Sequence, residues 1–275
     1  MDDVRAETLV SACRRMRKNL LLMTNKVGSV GAHIGGSLSM VEIMAVLYLD
    51  TMSYRQAELS WDERDRFILS KGHGVMAVYA AMAEAGIIDH DDLLHFKENG
   101  GALSAHPSMN GELGIEFSSG SLGQGLSLGV GTCLALKHKG NLVPRTFVVV
   151  GDGECDEGQI WEAAMTASHY KLDNLICVVD CNHLQYDGNT EKVKDKSNLL
   201  GIWESFGWKA VECDGHDVRS LSDALHVAHA GQPLAVVAHT VKGKGVSFME
   251  GNAQYHNNRL PDDLLEQALL EVGEA

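Results

Sequence analysis

The residues of this sequence best suited to chemistry form two short polar segments separated by one predicted helix and one predicted strand. Asp152 lies in Gly151-Asp152-Gly153, and Asn182 follows 30 residues later. A carboxylate and an amide oxygen suit Mg²⁺, which takes oxygen ligands at about 2.0–2.1 Å and is usually completed by substrate phosphates. Gly151 and Gly153 let the backbone turn sharply and offer N–H groups to such an anion. Gly-Asp-Gly alone would indicate only a strand-to-helix turn, but Asn182 at this spacing favours a magnesium–diphosphate site.

Four of the 13 histidines lie beside glycine or in loops rather than in an amphipathic stripe: His33, His73, His106 and His256. Histidine exchanges protons with hydroxyls near neutral pH, and imidazole donors suit phosphate oxygens. We interpret five others as surface or satisfied core residues: His90, His95, His138, His226 and His229. No role is assigned to a third group: His169, His183, His216 and His239.

The elements that must position the two polar segments form a βαβ unit. Residues 146–150 are a β-branched run, residues 157–170 have a helical pattern, and residues 175–180 form a second apolar run. This order implies parallel strands joined by a right-handed crossover. Neighbouring strands lie roughly 4.8 Å apart. Asp152 and Asn182 should therefore emerge side by side at one edge of the sheet.

The rest of the chain extends the same pattern. Further strands are predicted at residues 66–70, 208–213 and 234–240, and helices at residues 5–26 (ending near Gly28), 75–85, 218–229 and 262–272. Ser39 and Glu42 predict a capping box before the apolar run 43–49. We predict a single α/β domain over residues 1–275, with a mostly parallel sheet and helices on both faces. Ligands bind beyond the carboxyl ends of such strands, so the segments after Val150, Asp180 and Thr240 should form the site.

Composition excludes several functional classes. Of 275 residues, 45% are hydrophobic and 22% charged, and the net charge of −14 argues against binding nucleic acid. No apolar stretch is long enough to span a bilayer and no secretory leader is visible, so we expect no membrane partner. Six cysteines without a Cys-x-x-Cys pair indicate reduced thiols and a cytoplasmic protein. Zinc at Cys177, Cys181 and His183 is disfavoured because Cys177 lies in an apolar, core-like run.

Several motifs occur in an order typical of one enzyme family: Ala32-His33, Ser70-Lys71-Gly72-His73, Ala105-His106-Pro107, Gly120-Ser121-Leu122-Gly123-Gln124-Gly125, Gly151-Asp152-Gly153 with Asn182, and Lys242-Gly243-Lys244-Gly245. From about residue 5 to residue 260, the chain resembles the N-terminal domain of transketolase. The resemblance implies the thiamine diphosphate-binding fold, specifically its diphosphate-side domain.

The resemblance also implies a cofactor site. Its metal ligands would be Asp152, Asn182 and the carbonyl of Leu184, holding Mg²⁺ or another divalent cation such as Ca²⁺ or Mn²⁺. The residues placed at thiamine diphosphate would be His73, Gly120, Leu122, Gly151, Asp152, Gly153, Asn182 and His256. Within this set, Gly120 and Leu122 would contact the cofactor rings and Gly153 would contact the diphosphate through its N–H.

Four residues would have catalytic roles by the same resemblance. His33 and His256 would assist proton transfer as the carbon–carbon bond is cleaved and formed again. His106 would bind the hydroxyls of the donor ketose. Glu157 would help to organise cofactor activation at a subunit interface.

A complete transketolase has further domains, including one on the pyrimidine side of the cofactor, so this domain would supply only half of an active site. Because the chain starts at Met1 and its final predicted helix covers residues 262–272, we expect a complete N-terminal subunit of a split transketolase. It would pair with a C-terminal transketolase subunit in an α2β2 heterotetramer acting on sugar phosphates. The alternatives are an enzyme for an unusual ketose phosphate, the α subunit of a 2-oxoacid dehydrogenase, a fragment of deoxyxylulose-phosphate synthase, and a non-catalytic binding module.

Overall fold

A five-stranded parallel sheet forms the centre of the molecule, for which a computed structural model describes residues 1–274. Its strands and those of a small antiparallel hairpin are β1 (Arg66–Leu69), β2 (Thr146–Gly151), β3 (Leu175–Cys181), β4 (Leu184–Gln185), β5 (Gly188–Asn189), β6 (Lys209–Asp214) and β7 (Leu234–His239). The sheet order is β1-β2-β3-β7-β6, and β4 pairs with β5 outside it. The parallel sheet that the β-branched runs predict is confirmed.

The helices surround this sheet. They are α1 (Asp3–Lys26), α2 (Ile34–Leu38), α3 (Val41–Val46), α4 (Val75–Glu84), α5 (Gln124–His138), α6 (Gly158–His169), α7 (Thr190–Val193), α8 (Leu199–Ser205), α9 (Val218–Leu225) and α10 (Asp262–Glu274). The predicted end of α1 is confirmed, since left-handed Gly28 (φ 65°) follows it. Helix α9 is shorter than predicted. His226 Nδ1 lies 2.7 Å from the Ser222 carbonyl oxygen at the end of this helix.

The predicted capping box at Ser39 and Glu42 is wrong. Helix α3 begins after Met40, which makes no side-chain cap. The Ser39 hydroxyl instead donates to Asp180 Oδ2 at 2.6 Å. The Glu42 carboxylate binds Arg17 at 2.6 Å. Both side chains therefore bind long-range partners instead of forming the local cap, because the buried charged groups Asp180 and Arg17 require hydrogen-bond or ion-pair partners.

Two apolar layers cover the two faces of the sheet, as predicted. Alternate residues along β2 and β3 point to opposite layers, as expected from the pleat: Phe147 and Val149 pack with α1, α3, α4 and α9, whereas Val148 and Val150 pack with α5, α6 and α8. The core thus holds the strand ends in fixed positions at one edge.

Within residues 1–274, none of the helices combines the length and the apolar character that crossing a membrane requires.

Candidate active site

A cavity of about 310 Å³ opens at the carboxyl edge of the sheet. It is lined by residues from each of the three segments that the sequence predicts: Asp152 after β2, Asn182 after β3 and Lys242 after β7. The backbone N–H of Asp152 donates to the Asp180 carbonyl oxygen at 3.2 Å. The two predicted polar segments are therefore neighbours at this edge.

Asp152 is a buried carboxylate whose hydrogen-bond donors come from its own loop and from residues that follow β3. Its Oδ1 accepts the Gly153 N–H at 2.9 Å, and its Oδ2 accepts the His183 N–H at 2.8 Å and the Thr190 hydroxyl at 3.2 Å. Burial, followed by the charge of Asp180, raises the pKa of Asp152. Among residues 1–274, no cationic side chain forms an ion pair with it. A buried carboxylate that lacks a positive partner fits a divalent cation.

The other two predicted metal ligands lie on the adjoining loop. Asn182 Oδ1 accepts the Leu184 N–H at 3.1 Å, while Asn182 Nδ2 donates to Asp180 at 3.0 Å. The Leu184 carbonyl oxygen accepts from Lys242 Nζ at 3.0 Å. One carboxylate, one amide and one carbonyl line the same cavity, which is the oxygen donor set expected for Mg²⁺.

The loop glycines bring the backbone close to the cavity. A Cβ on Gly153 would lie 2.8 Å from Gln185 Cβ, so only glycine fits there without a shift. Gln185 lines the cavity, and its buried Oε1 has no hydrogen-bond partner among the residues that the structure describes. A polar ligand that donates a hydrogen bond would satisfy this acceptor.

The structure brings together the four histidines singled out in the sequence. The ring centroid of His33 lies 5.6 Å from those of His73 and His106 and 5.4 Å from that of His256. The rings of His73 and His256 are 5.1 Å apart, and both residues line the cavity. The four histidines come from separate stretches of the chain, so the fold brings them close together.

These imidazoles are uncharged at neutral pH. Burial, reinforced by neighbouring positive groups, lowers the pKa of His33 and of His256 to about 4. It also lowers the pKa of His106, and it places the pKa of His73 well below the ordinary value. A neutral imidazole has one donor and one acceptor nitrogen. The cluster can therefore relay protons and hydrogen bonds but does not supply positive charge.

Positive charge at the cavity comes instead from lysine. Lys242 Nζ lies 3.0 Å from His256 Nδ1. Burial and the nearby Lys71 lower the pKa of Lys242 to about 8. An ammonium at this distance occupies the Nδ1 lone pair, which leaves the proton of neutral His256 on Nε2.

The remaining predicted residues lie around the mouth of the cavity. Leu122 and Glu157 both line it and are exposed to solvent. A Cβ on Gly120 (φ 149°) would lie 3.1 Å from His106 Cδ2, which places Gly120 against the histidine cluster. Leu122 and Glu157 are thus accessible from outside, whereas Gly120 is half-buried against the histidines.

Sequence reasoning missed the buried ion pair beneath the site. Lys71, only 2% exposed, donates to Asp180, which is 0% exposed. The Asp180 carboxylate also accepts from Ser39, Asn182 and Thr240. Burial alone would raise the pKa of Asp180, but the charge of Lys71 and these hydrogen bonds hold it below the ordinary value. The only available signal was the position of Asp180 two residues before Asn182.

A second buried carboxylate that sequence reasoning missed, Glu154, ties three loops together. Its Oε1 accepts from the Ser70 hydroxyl and from the Gly123 N–H at 2.8 Å, and its Oε2 accepts from the Gly151 N–H at 3.0 Å. Helix α5 also packs closely here, since a Cβ on Gly125 would lie 2.4 Å from Ser70 Cβ. Glu154 therefore fixes the loops that carry the predicted cofactor-contacting residues.

The four histidines without an assigned role fall into three environments. His216 is a structural link, because its Nδ1 lies 3.0 Å from Glu42 and its Nε2 accepts the Val241 N–H at 2.8 Å. His169 is exposed and its ring meets that of Tyr170 edge-on. His183 and His239 stack with their centroids 6.2 Å apart beside Cys181, outside the histidine cluster.

The sequence matches the family described as "Transketolase, thiamine diphosphate binding domain" over residues 10–273. It is 40% identical over 256 residues to the 6-deoxy-6-sulfo-D-fructose transketolase subunit of a Clostridium species, covering 91% of this chain and 92% of that one. It is 39% identical over 267 residues to an apulose-4-phosphate transketolase subunit of Actinobacillus succinogenes, covering 97% and 96% of the two chains. With human transketolase it shares 35% identity over 98% of this chain and 43% of the human one.

Solved structures give the same result for the fold. The transketolase of Leishmania mexicana superposes with a TM-score of 0.89 at 28% identity, covering 96% of this chain and 41% of that chain. The transketolase of Campylobacter jejuni gives a TM-score of 0.86 at 25% identity, covering 99% and 43%. The present chain thus spans about two fifths of these solved chains.

Proposed function

The chain belongs to the transketolase family through its thiamine diphosphate binding domain, and from this premise we propose that it is one subunit of a two-chain transketolase. The complete enzyme transfers a two-carbon ketol unit from a ketose phosphate to an aldose phosphate, using thiamine diphosphate and Mg²⁺. The observation that carries this proposal is the cavity that joins Asp152, Asn182 and Leu184 to the histidine cluster.

Asp152, Asn182 and the Leu184 carbonyl would hold the divalent cation, and the N–H of Gly153 with His73 and Lys242 would hold the diphosphate. The fit rests on the unpaired carboxylate of Asp152 and on the small space that a Cβ would fill at Gly153. Mg²⁺ would suit these ligands because they are all oxygens, and the diphosphate would supply further oxygen ligands.

Bound thiamine diphosphate supplies the electron sink for carbon–carbon bond cleavage. The chain's own residues bind and orient the sugar and exchange its protons. Neutral His33 and His256 suit this role, since each offers one donor and one acceptor nitrogen. With Lys242 Nζ at its Nδ1, His256 would offer its Nε2–H to a substrate oxygen. His106 would bind the donor hydroxyls.

A second chain would supply the pyrimidine side of the active site. Three features support this: relatives of similar length are named as subunits, the solved transketolases are more than twice as long, and Glu157 and Leu122 are exposed at the cavity mouth. We propose an α2β2 heterotetramer in which this chain is one thiamine diphosphate-binding domain. The six cysteines, all free, support a reducing cytoplasmic compartment.

The identity of the donor ketose is a separate question, with two kinds of candidate. Relatives at 39–40% identity are named for apulose 4-phosphate and 6-deoxy-6-sulfo-D-fructose, whereas human transketolase is 35% identical. These names favour an unusual ketose as the alternative to xylulose 5-phosphate.

The test is a ketol-transfer assay with ribose 5-phosphate as one acceptor and each of the three ketoses as donor. It is run with this chain alone and with a candidate C-terminal partner chain, both with Mg²⁺ and thiamine diphosphate. We expect turnover only from the mixture. Turnover by the single chain would contradict the half-site proposal, and failure of the mixture to bind thiamine diphosphate in calorimetry would contradict the cofactor site.

A further inference from the structure

A second cavity of about 230 Å³ lies next to the 310 Å³ cavity lined by Asp152, Asn182 and Lys242, which we call the cofactor cavity after its proposed ligand. The two cavities share one wall. The wall comprises Asp152, which lines both cavities, and the segment 181–184, whose residues alternate between the two spaces. Asn182 and Leu184 line the cofactor cavity, whereas Cys181 and His183 line the second one. His183 adopts a left-handed backbone conformation (φ 60°), which is uncommon for a residue with a side chain.

Three potential metal ligands converge in the second cavity. Cys181, His183 and His239 each offer one ligand atom, and these atoms all lie within 4.8 Å of one another. Cys181 Sγ and His183 Nε2 are 3.9 Å apart. In a tetrahedral zinc site, Zn–S of about 2.3 Å and Zn–N of about 2.0–2.1 Å separate the ligand atoms by roughly 3.3–3.6 Å. The Cys181–His183 separation exceeds this range, so side-chain adjustment on binding would have to bring the ligand atoms closer together.

The fold itself creates this cluster. Cys181 ends β3 and His239 ends β7, and the two residues are register partners in neighbouring parallel strands. The trio considered from sequence contained Cys177 instead, and Cys177 is fully buried in the core as expected. Strand β7, which lies next to β3, supplies the third ligand that the sequence could not identify.

The surroundings of the cluster suit a bound ion. Glu212 Oε2 lies 3.0 Å from His239 Nε2, and Glu212 lines the same cavity. A carboxylate beside a ligating histidine is the usual outer support of zinc sites. Because the cavity holds three ligands and open space, one coordination position remains for water or a further ligand.

We propose that Cys181, His183 and His239 form a binding site for a divalent transition ion of the zinc type. This site is distinct from the oxygen-lined magnesium site and does not depend on the proposed reaction. On binding, the Cys181 thiol releases its proton to solvent and the thiolate ligates the ion. The ion links the end of β3 to the end of β7, and so restrains the segment that carries Asn182 and Leu184.

The test measures Zn²⁺ binding to the full chain by equilibrium dialysis in excess Mg²⁺, followed by the optical spectrum of the Co²⁺ form. We expect one tight equivalent and a thiolate-to-cobalt charge-transfer band. Cys181→Ser and His239→Gln should each weaken binding at least about tenfold, and Cys181→Ser should abolish the band. Cys213→Ser and His229→Gln are matched controls outside the cluster and should bind as the parent does.

Because His239 is exposed, His239→Gln should fold, and a thermal melt of each variant checks this. Absence of saturable binding in the parent would overturn the proposal. Binding retained within about threefold in either cluster variant, or a Co²⁺ spectrum without the thiolate band, would also overturn it.

Discussion

The two cavities on either side of residues 181–184 are built from different chemistry. The cofactor cavity has oxygen atoms that can ligate a metal and the ammonium group of Lys242. The buried carboxylates of Asp180 and Glu154 fix the loops that carry these groups. The second cavity also contains carboxylates and a lysine, but it is distinguished by a thiol beside two exposed imidazoles.

The two cavities therefore differ in how far their side chains are held in place before a ligand binds. In the cofactor cavity, the polar groups are fixed before any ligand arrives, so little order has to be created on binding. In the second cavity, exposed side chains must be ordered by their ligand. The shared segment nevertheless serves both, because successive residues alternate between the two sides.

The largest effect should come from Lys71→Met, which removes the buried cation that pairs with Asp180 next to residues 181–184. Asp180 would be left buried with its charge unpaired, and such losses cost about 3–5 kcal/mol. Urea denaturation should show this decrease in the free energy of unfolding. The double variant Lys71→Met/Asp180→Asn should recover part of the loss; if it is as unstable as the single variant, the ion pair is not the cause.

A change confined to ligand binding should follow from Asp152→Asn. The amide keeps an oxygen for the His183 N–H but loses the charge that would hold Mg²⁺. Since loss of outer-shell partners already costs about 10–100-fold in metal affinity, we expect Mg²⁺-dependent thiamine diphosphate binding by the assembled enzyme to weaken at least about 100-fold in calorimetry. Asp152 also lines the second cavity but is not one of the three proposed zinc ligands, so Zn²⁺ binding should persist; its loss together with cofactor binding would show that the cavities are not separable.

A smaller effect should follow at the exposed rim. The Glu157 side chain makes no hydrogen bond or ion pair within residues 1–274, so Glu157→Ala should leave the stability of this chain unchanged. Activity of the two-chain mixture should fall at least about tenfold, equivalent to about 1.4 kcal/mol. Glu162→Ala, on the neighbouring helix α6, is the control. Equal activity of both variants would remove Glu157 from the proposed interface.

A further effect concerns pH. The folded pKa of His33 is about 4, whereas the unfolded value is about 6.5. Between these values the unfolded state binds more protons, so stability should fall as the pH is lowered through this window and should not change above it. Urea midpoints of the cofactor-free protein at about pH 7.5 and about pH 5 measure the change. His33→Asn should reduce it, and an unchanged pH dependence would contradict the neutral, desolvated state of His33.

The sequence allowed the sheet and the histidine cluster to be predicted for different physical reasons. β-Branched runs such as residues 146–150 have a strong local preference for strands, and the chain alternates regularly between strands and helices. His33, His73, His106 and His256 stood out because their motifs lie in loops. Their placement together is observed, whereas their individual roles in catalysis are proposals.

Contacts between residues far apart in the sequence could not be predicted. Nothing local indicates that Lys71 pairs with a carboxylate 109 residues away, or that Ser39 binds Asp180 rather than capping α3. The proximity of Cys181 to His239 depends on strand order, which the alternation of strands and helices does not determine. These features all concern buried or register-paired partners from distant parts of the chain.

The insertion of β7 between β3 and β6 has a consequence for biosynthesis. Strand β3 gains its second neighbour only after residue 239 has been made, 58 residues after Cys181. At about 5–20 residues per second, translation of that interval takes roughly 3–12 s. During this time the nascent chain carries an apolar strand, with Ile176 and Val178, at an open edge. Slow translation between β3 and β7 would lengthen the time that this strand spends with an unpaired edge.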